Sequence, residues 1–368
     1  MRHYFYLVFA VIALSVHSVR GEQILFEVEF ETYFDNKEYC ENEYDGTALD
    51  GGSNTDFAVR LAPKLGWRWA EESTLYFGAD LIQDFGEYSD PFFSISEPII
   101  YYEFKNESVK AAAGIFPRAL THIASYSTAF FSEDYLFYDA LMSGVYGAYN
   151  RGESFVEFGI DWEGHYSTLE REKFRLLSAG RYYFDRFYLG YNYSLMHYAK
   201  QQGLEASGVV DFTLINPCVG LRLGGDFDFD LSLGLLQSMQ RDRSYGDGWL
   251  SPRMGELSLR LSRWGAYIDE RLYLGQNLYP LFYGVSLEDG TELEYGTELY
   301  PGDGFFRTEE GIYNRAAIGY ARAFYDGKLN VRAELVTHYD GVGVGMQQIV
   351  DISVRLGTTL YRSKNKQK

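Results

Sequence analysis

Along most of this chain, apolar and polar side chains alternate over runs of eight to fourteen residues, and each run is closed by a turn. Between residues 57 and 69, Phe57, Val59, Leu61, Leu65 and Trp67 share one face, while Arg60, Lys64 and Arg68 share the other. Successive side chains of a β-strand point to opposite faces, so such a run has one oily side and one wet side. The same period recurs elsewhere. Val156, Phe158, Ile160 and Trp162 oppose Glu157 and Asp161; Phe227 to Leu235 oppose Asp228, Asp230 and Ser232; Leu257, Leu259 and Leu261 oppose Arg260; Val350 to Leu356 oppose Asp351 and Arg355. Short connections (70–73, 105–108, 150–153, 184–186, 224–226, 264–265, 326–328) alternate with longer ones (85–96, 118–139, 163–173, 200–208, 241–248, 276–304, 340–345). This pattern predicts an all-β fold, an antiparallel up-and-down transmembrane β-barrel of about 16 strands (14–18), with short periplasmic turns and long extracellular loops. A strand of ~9–11 residues crossing hydrocarbon satisfies its backbone only by pairing on both sides, which forces closure.

Two prolines test the strand count. Val210, Phe212 and Leu214 share a face, but Val219, Leu221 and Leu223 continue on the opposite parity. A turn at Asn216-Pro217 would make seventeen strands and invert the short/long rule, so a register-shifting bulge is expected there. Pro63 lies inside another strand without a ladder donor, and a bulge is expected there as well.

Composition narrows the class. Residues 1–21 read as a secretory signal peptide, with apolar Tyr4 to Leu14 and cleavage before Glu22 or after Ser18. Without them two arginines and no acid leave, taking the formal charge from −19 to −21. That balance argues against a nucleic-acid partner, which needs basic surface. Acids gather in long connections: Asp35, Glu38, Glu41, Glu43, Asp45 and Asp50 in one, Glu288 to Glu298 in another. They read as solvated loops, or as sites where divalent cations bridge to anionic headgroups; no fixed ligand spacing appears, and no metal or other cofactor is expected. Cys40 and Cys218 lie in a loop and a distant strand, which disfavours a disulfide. Aromatic residues make up 18% of the chain, and Trp67, Trp69, Tyr182 to Phe184, Trp264, Phe324 and Tyr325 sit beside short turns, as barrel rims require. The barrel is expected over residues 22–361, with 362–368 as a basic tail, in the outer membrane of a diderm bacterium.

A barrel of this width leaves an interior for water, so inward side chains carry the candidate chemistry. The pore-lining candidates are Arg60, Lys64, Arg68, Arg175, Arg260, Arg315 and Arg355, opposed by Glu27, Glu29 and Glu31. Arg181, Arg271, Arg332, Asp228 and Asp230 share the inward parity. These charges either neutralise one another or set a field across a pore. The connection 118–139 is too apolar for a solvated loop, with Ile123, Tyr126, Phe130, Phe131, Tyr135 and Phe137.

In its strand number and in this loop after the fifth strand, the chain resembles the sixteen-stranded general porins, whose corresponding loop folds inward and narrows the barrel. The resemblance implies a constriction loop in which Phe130, Phe131, Glu133, Asp134 and Asp139 take part, the acids facing basic wall residues. The runs Ala113-Gly114-Ile115-Phe116-Pro117-Arg118, Glu157-Phe158-Gly159-Ile160-Asp161-Trp162 and Glu298-Leu299-Tyr300-Pro301-Gly302-Asp303 resemble a family of outer-membrane barrel proteins of diderm bacteria without assigned activity. That likeness spans the mature chain and carries no catalytic residue across.

The function expected is a porin-like passive channel for small hydrophilic solutes, not an enzyme. The alternative is a closed barrel acting as an adhesin or complex component. A hydrolase would need a histidine held beside a nucleophile, and the mature chain has only His122, His165, His197 and His338, with His338-Tyr339-Asp340 and the serines near His122 as paper dyads. Expected partners are outer-membrane lipid, small polar solutes and the barrel-insertion machinery. A homotrimer stays open, because the lipid face is uniformly apolar.

Overall fold

The computed structural model describes residues 22–39, 53–86, 93–203, 208–243, 248–282, 285–286, 292–293 and 295–363. The signal segment, Cys40, the acids from Glu41 to Asp50, the Glu288–Asp289 acids and the last five residues of the basic tail lie outside them. Sixteen antiparallel strands form one closed barrel. They are β1 (Gln23–Tyr39), β2 (Asn54–Ala70), β3 (Ser73–Asp84), β4 (Ile95–Lys105), β5 (Val109–Pro117), β6 (Leu141–Arg151), β7 (Ser154–Gly164), β8 (Arg171–Phe184), β9 (Phe187–Gln201), β10 (Val210–Leu223), β11 (Asp228–Asp242), β12 (Arg253–Arg263), β13 (Ala266–Gly275), β16 (Ile312–Phe324), β17 (Leu329–Tyr339) and β18 (Val344–Arg362). The remaining two, β14 (Val285–Ser286) and β15 (Glu292–Leu293), pair with each other inside the longest connection.

The two-residue period has the expected consequence. Phe30, Leu61, Leu65, Phe158, Leu233, Leu257, Val350 and Leu356 stand exposed on the outside, where hydrocarbon would cover them. Trp67, Tyr182, Trp264 and Tyr325 ring the short-turn end. Between Arg263 and Ala266 the turn is only Trp264 (φ 56°) and Gly265 (φ 94°), the left-handed pair that matches the twist of a two-residue hairpin. The closing seam is the longest ladder, with 17 paired positions from Gln23↔Arg362 to Tyr39↔Gly345. By contrast, β4 and β5 share only 6, from Ile100↔Ile115 to Lys105↔Lys110.

Neither proline makes a bulge, which corrects both expectations. β10 runs straight through Asn216↔Asn192 and Pro217↔Tyr191 on β9. On its other side the ladder skips from Ile215↔Gln237 to Cys218↔Gly234 and resumes unshifted. Pro63 behaves alike, opposite Val28 on β1 and in a gap between Leu61↔Leu81 and Lys64↔Gly78 on β3. A proline lacks one donor, and each strand forgoes pairs on one side without changing register. Real register shifts fall elsewhere, at Ile24/Leu25, Arg68/Ala70, Trp162/Gly164 and Arg171/Lys173.

Candidate functional site: a plugged lumen and a polar row on the outer rim

The two longest connections turn inward. Residues 118–140 leave β5 and return to β6 with Arg118 N–H donating to Ala140 O at 2.8 Å; residues 276–311 leave β13 and return to β16 with Gly275 N–H donating to Gly311 O at 2.8 Å. Ile123, Tyr126, Phe130 and Phe131 from the first join Leu278, Tyr279, Tyr300, Phe305 and Phe306 from the second in one buried cluster. The wall supplies Tyr101, Phe116, Met142, Met196, Phe212, Leu236, Met254, Tyr273 and Tyr313 to the same cluster. Phe137 makes a second one with Tyr33, Ala58, Ile82, Ala317, Val336 and Ile349. An aromatic side chain so buried contributes ~1.5–3 kcal/mol over leaving it in a wet lumen. The inserts therefore occupy much of the loop-end half of the interior, where the sequence suggested water, and leave a cavity of about 300 Å³ beside Glu97, Arg118, Asp139 and Glu163.

Ion pairs pin the first insert. A short helix, Glu133–Tyr138, begins with Ser132 Oγ accepting from Tyr135 N–H. Glu133 meets Arg332 at 2.5 Å and Arg315 at 3.6 Å, and Asp134 meets Lys37 and Tyr33. Asp139 pairs at 2.9 Å with Arg118, which opens the same loop and also holds Asp161 of β7 at 2.6 Å. Arg175, 1% exposed, pairs with Glu163 at 2.8 Å beneath the Phe131 ring. The other inward candidates are paired too: Arg60 with Asp80 and Glu31, Lys64 with Glu27, Arg260 with Asp269, Arg315 with Glu334, and Arg355 with Glu29 at 2.6 Å. Arg68 donates to Thr74 Oγ1. Mutual neutralisation, one of the two readings drawn from the sequence, describes these contacts.

Two carboxyls of the inserts titrate away from their usual range. Burial pushes Glu133 up, but Arg332 and Arg315 outweigh it and hold the carboxyl at about 2. Asp303, in the second insert, is raised by burial to about 7 against the pull of Arg315. The signs are opposite. Glu133 stabilises fully above its ordinary value near 4.5, and that contribution is lost as pH falls toward 2. Asp303 binds its proton more tightly folded than unfolded, so stability is lost as pH rises from about 4 through 7. Urea-unfolding midpoints are expected to show both limbs. Glu133→Gln should flatten the acid limb and Asp303→Asn the neutral one; an unchanged profile in either variant would contradict that assignment.

Asp35, Asp56 and Asp134 bring carboxylates within 4.8 Å of one another, a spacing that could hold a cation. Lys37 Nζ already sits among them, 3.3 Å from Asp35 and 3.8 Å from Asp56. A lysine ammonium thus supplies the positive charge this cluster needs.

The histidines separate by environment. His338 is buried against Phe305 and bonds Tyr313 and Gln347, while Asp340 instead accepts from the backbone of Val342 and Gly343. His122 stacks on Phe155 and bonds Asn150. Neither forms the dyad the sequence permitted. His165 is exposed in a loop.

His197 is different. It faces outward at the loop end of β9, with Nδ1 3.8 Å from Asp211 Oδ1, the one histidine–carboxylate pair within 4 Å among the described residues. The register aligns it in a row across five strands: Trp162↔Phe174, Phe174↔His197, His197↔Asp211 and Asp211↔Arg241. Phe174 packs on both Trp162 and His197. Asp211 accepts from Arg243 Nε and Nη2 at 2.7 and 2.8 Å and from Arg241 Nη2 at 3.3 Å. Arg241 lies over Trp249, and its Nε has no hydrogen-bond partner. Directly below, Ile160, Leu176, Leu195 and Met239 continue the outward face as hydrocarbon-compatible side chains. The half-exposed tryptophans Trp162 and Trp249 place the row at a membrane–water boundary. No sequence motif announces it, because its residues come from five strands.

The family model described as Lipid A 3'-O-deacylase-type matches residues 16–244. No curated protein sequence matches the chain. Three solved structures of Pseudomonas aeruginosa are similar to it. OccK9 (OpdG) has a TM-score of 0.53 at 8% identity, over 91% of this chain and 98% of that one. OprD has 0.51 at 10% identity, over 92% and 97%. OccK8 (OprE) has 0.50 at 8% identity, over 91% and 98%. At such identity the likeness is one of fold, and the expected porin-like architecture stands in that sense. The expectation that the chain is not an enzyme is overturned by the family match, whose description names a deacylase.

Proposed function

The chain belongs to the Lipid A 3'-O-deacylase-type family, and we propose on that basis that it is an outer-membrane hydrolase which removes an ester-linked acyl chain from an anionic glycolipid at the outward face of its barrel. The observation that carries this reading is the row of Phe174, His197, Asp211 and Arg241 at the loop-end boundary of the lipid-facing wall. A glycolipid there would present its headgroup to the row and its acyl chains to the apolar belt below.

In this reading His197 is the general base. A water gives its proton to the imidazole as its oxygen adds to the ester carbonyl carbon. The imidazolium then returns a proton to the departing alkoxy oxygen as the carbon–oxygen bond breaks, leaving a fatty acid and a free hydroxyl. Asp211, whose Oδ1 is 3.8 Å from Nδ1, balances the ring's transient charge. Arg243, half-exposed, offers a donor to lipid phosphates, the oxyanions for which guanidinium geometry is best suited. The test is mass spectrometry of lipid A incubated with the purified protein in mixed micelles. Loss of one acyl mass with release of free fatty acid is expected; intact lipid after prolonged incubation would refute the reading.

A channel for small hydrophilic solutes is a second reading, favoured by the charged walls toward the short-turn end. There Arg355 is half-exposed, and cavities lie beside Arg332, Asp351 and Glu31 and beside Arg222, Asp230 and Arg260. Such a channel requires both inserts to move.

A further inference from the structure

Near the short-turn end, the outside of the barrel carries a groove of about 730 Å³ across β6 to β9. Its floor is the Tyr191 ring laid across Gly180: a Cβ on residue 180 would stand 2.7 Å from that ring, so the glycine lets the tyrosine lie flat against the wall. Tyr149, Tyr182 and Leu189 rise around it, each at least half exposed. Tyr191 is fixed by its hydroxyl, 3.0 Å from Ser178 Oγ. At the lip stands Arg151, outward and exposed, with no ion-pair partner among the described residues.

We infer that this groove is a binding site for one anionic phospholipid of the periplasmic leaflet, its acyl chain lying over Tyr191 and Leu189 and its phosphate on Arg151. Three features favour that occupant. The recess lies in the hydrocarbon-facing wall, where an acyl chain is the surrounding solvent. Tyrosine hydroxyls and a guanidinium meet at the level where headgroups begin, which suits an amphiphile with one charged end. The chain carries a formal charge of −19, so an unpaired cation on the membrane boundary selects anions against the background field. The site lies at the opposite end of the wall from His197, and its occupancy does not depend on the hydrolase reading.

Native mass spectrometry of the detergent-solubilised protein, titrated with phosphatidylglycerol or phosphatidylethanolamine, reads the site directly. One retained phosphatidylglycerol is expected, bound about tenfold more tightly than phosphatidylethanolamine. Arg151→Gln should erase that preference, and Leu189→Trp should expel the lipid by filling the groove. Leu233→Trp, on a lipid-facing position of another strand, should change nothing. Equal retention by the wild type and Leu189→Trp would overturn the inference. So would a wild type that associates with a second copy of itself, in a manner Leu189→Trp abolishes, and holds no lipid.

Discussion

Excising residues 121–138 and 277–309 is expected to turn a barrel that passes no resolvable current into one with porin-sized conductance steps in a planar bilayer. Both inserts begin and end on adjacent strands whose ladder bonds are already closed, Arg118 to Ala140 and Gly275 to Gly311. A short turn can therefore replace each without breaking the wall, whose backbone pairing is independent of what fills it. Heat-modifiable gel migration would verify that the shortened barrel still closes. The intact protein is expected to stay silent, because Phe130, Phe131, Tyr279, Phe305 and Phe306 lie buried against the wall around most of its circumference. Large steps from the intact protein would instead favour the channel reading. Single excisions should give intermediate, noisier openings, since each insert contributes only part of the buried cluster.

The second large effect is expected at His197. His197→Ala should lower acyl release from lipid A by about 10²–10⁴-fold, the usual worth of a positioned general base. Asp211→Asn should keep the ring in place while removing its counter-charge, costing somewhat less. Arg243→Gln is expected to act mainly on apparent affinity for phosphorylated lipid, leaving turnover at saturation nearly unchanged. His122→Ala serves as the control, because that ring faces inward on Phe155 and Asn150. Activity retained in His197→Ala and lost in His122→Ala would relocate the chemistry to the interior.

The barrel was legible because its period is two and its connections alternate in length; those signals are local. The misreading at residues 210–223 is instructive. It assumed that one face of a strand stays oily from end to end, so a change of parity had to mean a bulge. In the structure Val210, Phe212 and Leu214 are apolar because they meet the inserted loops inside. Val219, half exposed, is apolar because it meets lipid outside. The change of parity within an unshifted strand thus records where the filled half of the interior gives way to the membrane belt. Pro63 misled for a simpler reason, since a missing donor can be absorbed by a gap on one side of the ladder. The outward row was illegible because His197, Asp211 and Arg241 become neighbours only through the register of three strands.

The unequal ladders make the wall a latch with one weak link. The seam that joins the chain's two ends holds 17 paired positions, the longest zipper in the wall. The β4–β5 ladder holds only 6. Sideways parting of the wall is therefore expected to begin at β4–β5, next to the first insert, and not where the termini meet. Amide exchange should show it, with Ile100–Lys105 exchanging well ahead of Val28–Asp35; the reverse order would place the hinge at the seam.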